Sequence, residues 1–176
     1  MPQTVLAFLA MMIVTMLSLN QQHSMVLAYE LMLNDEMEFM ASAVALRAME
    51  YISQRDFDAA VAGTATVTDP TNLQASPFNV GNDCTLQGAI NFCTDIDDFH
   101  GMLPDTMVFS GRDGDFKFTV SAEIYYVDDV VNPDSAVSTQ TYSKTVAVIA
   151  QDVLGIMLQP IRLTRLVACE PGDGCL

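Results

Sequence analysis

Between Pro2 and Asn20 the chain reads PQTVLAFLAMMIVTMLSLN, with Gln3, Thr4, Thr15 and Ser18 as polar interruptions, and the first formally charged side chain is Glu30. A run of about 20 such residues is long enough to cross a bilayer as a helix. Neither glycine nor proline occurs from Gln3 through Ala62, and these are the residues that most readily break helices. The pattern therefore predicts one continuous helix over about residues 2–60, with Pro2 suited to a first turn that has no use for its missing N–H. At 1.5 Å per residue such a helix would extend about 75 to 90 Å, well beyond a bilayer.

Past the apolar run the helix becomes amphipathic: Leu33, Met37, Met40, Val44, Ala48 and Tyr51 recur at intervals of three and four and share one face. That stripe reads as packing against the chain's own globular part. Nine of the 12 methionines lie between Met1 and Met49, and flexible thioethers fill irregular gaps between helices.

From Gly63 onward helical periodicity disappears. Phe116, Phe118, Val120, Ala122, Ile124 and Tyr126 alternate with Lys117, Thr119, Ser121, Glu123 and Tyr125, the period of a strand with one buried face. Residues 141–150 and 155–168 predict further strands, and residues 64–68 and 106–110 shorter ones, separated by turn signals such as Asp69-Pro70 and Asn132-Pro133. The expected fold class is α+β: a helix unit at residues 1–62, then a mostly antiparallel sheet domain at residues 63–176.

With 176 residues, 51% of them hydrophobic, the chain can bury a real core, and disorder is excluded. Twenty-two acidic against seven basic side chains give a formal net charge of −15. Two Lys and five Arg scattered through such a field make no phosphate-tracking patch, so no nucleic-acid partner is expected. No G-x-S-x-G, P-loop, G-x-G-x-x-G or HExxH pattern is present, and an enzyme is not expected.

Cys84 with Cys93 and Cys169 with Cys175 form two close pairs. Their even number points to two disulfides and an exported domain, although sequence leaves the connectivity open. Neither pair has the short spacing of a zinc knuckle. Asp95, Asp97, Asp98, His100 and Asp105 make the densest acidic cluster, while Asp113 and Asp115 flank Gly114. Asp95, Asp97, Asp98 and Asp105 are thus candidate ligands for a hard cation such as Ca²⁺. The competing reading is a set of solvated acidic loops; otherwise no cofactor is expected.

The N-terminus lacks both the basic flank and the small-residue cleavage site of a secretory signal. The expectation is that Met1 is a processed N-terminus. Together with the unbroken apolar-then-amphipathic helix and the small cysteine-bearing β domain, MPQTVLAFLAMMIVTML resembles the processed end of type IV pilins and pseudopilins. The chain departs from that class in having Val5 where a glutamate is usual and in lacking a proline partway along the helix. The Cys169 to Cys175 loop is similar to the disulfide-closed terminal loop of many members.

The resemblance implies a structural subunit of an extracellular filament on the cell surface, inserted in the cytoplasmic membrane before assembly machinery extracts it. Its partners would be copies of itself, with Val5, Leu6, Phe8, Leu9, Met12, Ile13, Met16 and Leu17 as contacts in the filament core. The alternative is a single-pass membrane-anchored cell-surface protein whose β domain binds a ligand or cation.

Overall fold

A computed structural model of the chain describes residues 2–61, 67–76, 78, 84–86, 93–111, 114–128 and 132–170. The helix α1 runs unbroken over Pro2–Ser53, and the strands are β1 (Asp105–Gly111), β2 (Gly114–Asp128), β3 (Asn132–Ala136), β4 (Ser143–Asp152) and β5 (Ile161–Ala168). A long helix followed by an antiparallel sheet is a pilin-like architecture, and the class is α+β as expected. Two compact units divide the chain, Met1–Met37 and Glu38–Leu176, and each takes in part of α1.

Burial changes along α1. Every residue from Gln3 to Leu33 is exposed. From Met40 onward, Met40, Ala41, Val44, Ala45, Ala48, Met49 and Ile52 are buried, a spacing of one and three that lays a wide apolar stripe along one side of the helix. The ends of the expected stripe differ: Leu33 is 44% exposed, and Tyr51 is half-buried with its ring edge-on to Phe99. The helix also stops seven residues before the expected position 60. After Ser53 the chain turns, and Ile96 N–H donates to the Asp56 carbonyl at 2.9 Å, which brings the following residues Phe57 and Asp58 into the core.

The sheet order is β1-β2-β4-β5, with β3 pairing β2. All pairings are antiparallel. Across β2 and β4 the register sets Val120 opposite Ala150, Ala122 opposite Val148, Ile124 opposite Val146 and Tyr126 opposite Lys144. All eight side chains are buried on one face, as the two-residue period requires. Beyond the end of β1 the open edge of β2 is closed by a loop: Gly101 N–H donates to the Ala122 carbonyl, and Ile124 N–H donates to His100 Nδ1 at 3.0 Å. Gly101 has φ of 64°, which glycine adopts without a side-chain clash.

The strand expected at 64–68 lies mostly outside the described residues, and Val67 and Thr68 are not in a strand. Strand β3 was not foreseen, because Asn132-Pro133 reads as a turn; it sits beside a register shift at Val127/Asp128, where a proline without an N–H is tolerated.

Candidate functional site

Two features stand out chemically: the apolar half of α1, and a buried charge cluster in the sheet unit. On α1 the eight expected contact residues Val5, Leu6, Phe8, Leu9, Met12, Ile13, Met16 and Leu17 are all exposed, from 52% for Ile13 to 74% for Met16. So are Met11, Val14 and Leu19 on the remaining sides. The segment is apolar all round, which is the composition of a membrane span or of a helix surrounded by protein. By length and composition α1 qualifies as a membrane span.

Polar groups within α1 are consistent with a dry environment. Thr15 Oγ1 donates back to the Met11 carbonyl at 3.0 Å and the Met12 carbonyl at 2.9 Å, and Ser24 Oγ donates to the Asn20 carbonyl. Hydroxyls returned to their own helix need no water.

The charge cluster is built around Lys144. Because β4 places residues 144, 146, 148 and 150 on the inward face, the lysine enters the core in phase with Val146, Val148 and Ala150. Its Nζ donates to Asp97 Oδ2 at 2.5 Å, to Asp58 Oδ2 at 2.9 Å and to the Phe57 carbonyl at 2.9 Å. Three N–H donors meet three acceptors. The rings of Phe57, Tyr126 and Phe78 surround the same nitrogen at 4.3, 4.8 and 5.2 Å from their centroids, within the range of a cation–π contact.

The acids of the cluster are not equivalent. Burial pushes Asp58 upward, but hydrogen bonds from Ala60 N–H, Lys144 and Gln74 N–H, with the lysine charge, outweigh it and hold the carboxyl below its ordinary value. Asp97 behaves oppositely. Burial dominates there and, with the nearby Asp58 and Asp95 charges, raises it to about 8 against the pull of Lys144. Its Oδ1 is buried and has no hydrogen-bond partner among the described residues. Tyr126 Oη donates to the Gln74 carbonyl at 2.9 Å and lies 3.2 Å from Asp58 Oδ2. This cluster was not anticipated from the sequence, where the one available signal was a lysine in phase with buried valines.

Asp95, Asp97, Asp98 and Asp105 face separate partners. Asp95 Oδ1 accepts from the N–H groups of Asp97 and Asp98 at 2.9 and 3.2 Å, and Asp98 Oδ2 accepts from Thr94 N–H at 2.8 Å. Asp95 is raised, by burial first and then by the Asp98 charge. Asp105 Oδ2 accepts from Leu86 N–H at 2.8 Å. Among the described residues no group of three or more His, Cys, Asp or Glu is placed to hold a metal ion. His100, expected beside this cluster, uses Nδ1 to close the edge of β2. Asp113 lies outside the described residues, and Asp115 pairs with Ser110 across the β1–β2 hairpin.

Cys84 and Cys93 form a disulfide with a Cα–Cα distance of 5.8 Å. Cys169 is not a free thiol, and Cys175 lies outside the described residues. Comparison with protein-family models, with curated proteins and with solved structures finds no match.

Proposed function

We propose that the protein is a structural subunit of an extracellular pilus-like filament, held in the cytoplasmic membrane by the apolar half of α1 and then extracted by assembly machinery so that these helices bundle. The observation that carries this reading is that every residue from Gln3 to Leu33 is exposed in the single chain. Burying one Leu, Ile, Val, Phe or Met side chain is worth about 1.5–3 kcal/mol relative to water, so an apolar helix of this length is driven into lipid or among other helices. Transfer from lipid to a bundle releases little water and gains mainly from packing, which is why machinery belongs in the reading. The sheet unit, with its own core, would stand outside the bundle, and no catalytic activity is assigned to it.

A membrane-anchored surface protein is the second reading, favoured by the fitness of α1 as a span. The apolar segment then stays in the bilayer for good. Electron microscopy of material sheared from the cell surface separates the two. Repeating fibres containing this polypeptide support the filament; its complete retention in the membrane fraction overturns it and supports the anchor.

A further inference from the structure

We propose that Lys144 Nζ condenses with the side-chain carboxyl of Asp97, forming an intramolecular amide that ties β4 to the 3-10 turn Asp97–Phe99, with Asp58 relaying the proton. The reacting groups are already in contact: Nζ lies 2.5 Å from Asp97 Oδ2, and the two side chains are 0% and 1% exposed. Asp58 Oδ2 touches the same nitrogen at 2.9 Å. Phe57, Phe78 and Tyr126 enclose that nitrogen and keep bulk water away. The second carboxyl oxygen, Asp97 Oδ1, receives no hydrogen bond among the described residues, so the lysine nitrogen is the donor this carboxyl meets there.

In water an amine and an acid ionise against each other and do not condense. Burial weakens that preference, because desolvation penalises each charged form. A proton passes from Nζ to Asp97 Oδ2 along their contact, leaving a neutral amine beside a neutral acid. The nitrogen lone pair attacks the carboxyl carbon and the N–C bond forms. Asp58 takes a proton from that nitrogen and gives it to one carboxyl oxygen, whose C–O bond breaks as water leaves. The other oxygen remains as the amide carbonyl, and Asp58 ends ionised as it began. Nothing is oxidised or reduced, and no further reactant is required. Holding the two groups together replaces a bimolecular encounter, an advantage that reaches effective molarities of ~10⁵–10⁸ M where the reacting atoms are also aligned.

The test is a digest of the full-length chain, purified in detergent, then unfolded, reduced and cleaved with trypsin. A linked chain yields peptide 56–112 joined to peptide 118–162, uncut after Lys144 and lighter by one water than the two together, with fragment ions placing the bond on Asp97. Separate peptides with cleavage after Lys144 overturn the proposal, and a bond located on Asp58 overturns the assignment. Asp58→Asn, refolded and sampled over time, is expected to link roughly 10²–10⁴-fold more slowly. A fully and rapidly linked Asp58→Asn chain overturns the relay. Should that variant not fold, the wild-type digest decides the bond by itself.

Discussion

Tyr126 and Lys144 are register partners across β2 and β4, and the lysine nitrogen lies 4.8 Å from the centre of the tyrosine ring. The tyrosine hydroxyl reaches past that nitrogen to the Gln74 carbonyl and the edge of Asp58. One cross-strand pair thus joins the sheet to three otherwise distant segments: the chain just after α1, the stretch at Gln74 and the turn at Asp97. Helical and strand segments of the sheet unit are held together through a polar centre inside an apolar core.

Removing the cation should be costly. Relative to a chain in which Lys144 and Asp97 remain an ion pair, Lys144→Met leaves Asp58 and Asp97 buried without their positive partner, and breaking a buried pair from one side destabilises by about 3–5 kcal/mol. The double change Lys144→Met with Asp97→Leu is expected to return part of that loss, since the uncompensated acid goes with its partner. Urea unfolding of the sheet unit in detergent, followed by circular dichroism, measures both. A Lys144→Met chain as stable as wild type would contradict the placement of the ammonium.

Alkaline pH should unfold the protein partly through Tyr126. Burial first, then the Asp58 and Asp97 charges, push its phenol above the ordinary tyrosine value, which is about 10. The folded state therefore keeps this proton longer than the unfolded chain does. Its stabilising share is complete below pH of about 10 and is lost as pH climbs beyond that. Tyr126→Phe is expected to flatten the alkaline limb of a stability–pH curve while costing about 0.5–1.5 kcal/mol at neutral pH, because the half-buried Gln74 carbonyl loses its donor. An unchanged alkaline limb in Tyr126→Phe would refute this.

Elements governed by local periodicity were legible in the sequence. The alternation from Phe118 to Tyr126 appears as alternating burial along β2, and the absence of breakers before Gly63 appears as a helix without interruption through Ser53. The helix end was not legible, because it is set by Asp56 and Phe57 reaching partners far along the chain. The charge cluster was hidden for the same reason. Lys144 is 47 positions from Asp97 and 86 from Asp58, and no local spacing encodes such a meeting. Aspartates in a turn-rich stretch read as solvated or cation-binding, since both fates share one sequence pattern; burial decides between them, and it comes from tertiary packing.

Asp152 should hold the turn between β4 and β5. Its carboxylate accepts from Ile156 N–H at 2.6 Å and Met157 N–H at 3.1 Å, and the residue is buried. Asp152→Ala leaves two backbone donors without that acceptor, a loss of about 1–3 kcal/mol for a buried unsatisfied group. The effect should be local, so hydrogen exchange is expected to accelerate at Ile156 and Met157 before it does in the paired centre of β4. Uniform acceleration across the sheet would mean the turn is not an independent latch.

Ile13→Asp separates assembly from folding. Ile13 sits in the middle of the apolar half of α1, 52% exposed, and no residue from Gln3 to Leu33 is buried. Ile13 is not among the buried residues that make up the core of the sheet unit, which should keep its unfolding midpoint. A carboxylate at the centre of a membrane helix costs about 2.5–3.5 kcal/mol on insertion. In a helix bundle it would repeat once per subunit, each copy a buried charge on a segment without Lys or Arg, since the first of these in the chain is Arg47. Insertion should weaken, and filaments, being cooperative over many copies, should be lost. Normal fibres from Ile13→Asp would remove this segment from the filament core, whereas a collapsed sheet unit would show that the two halves of α1 are not energetically separable.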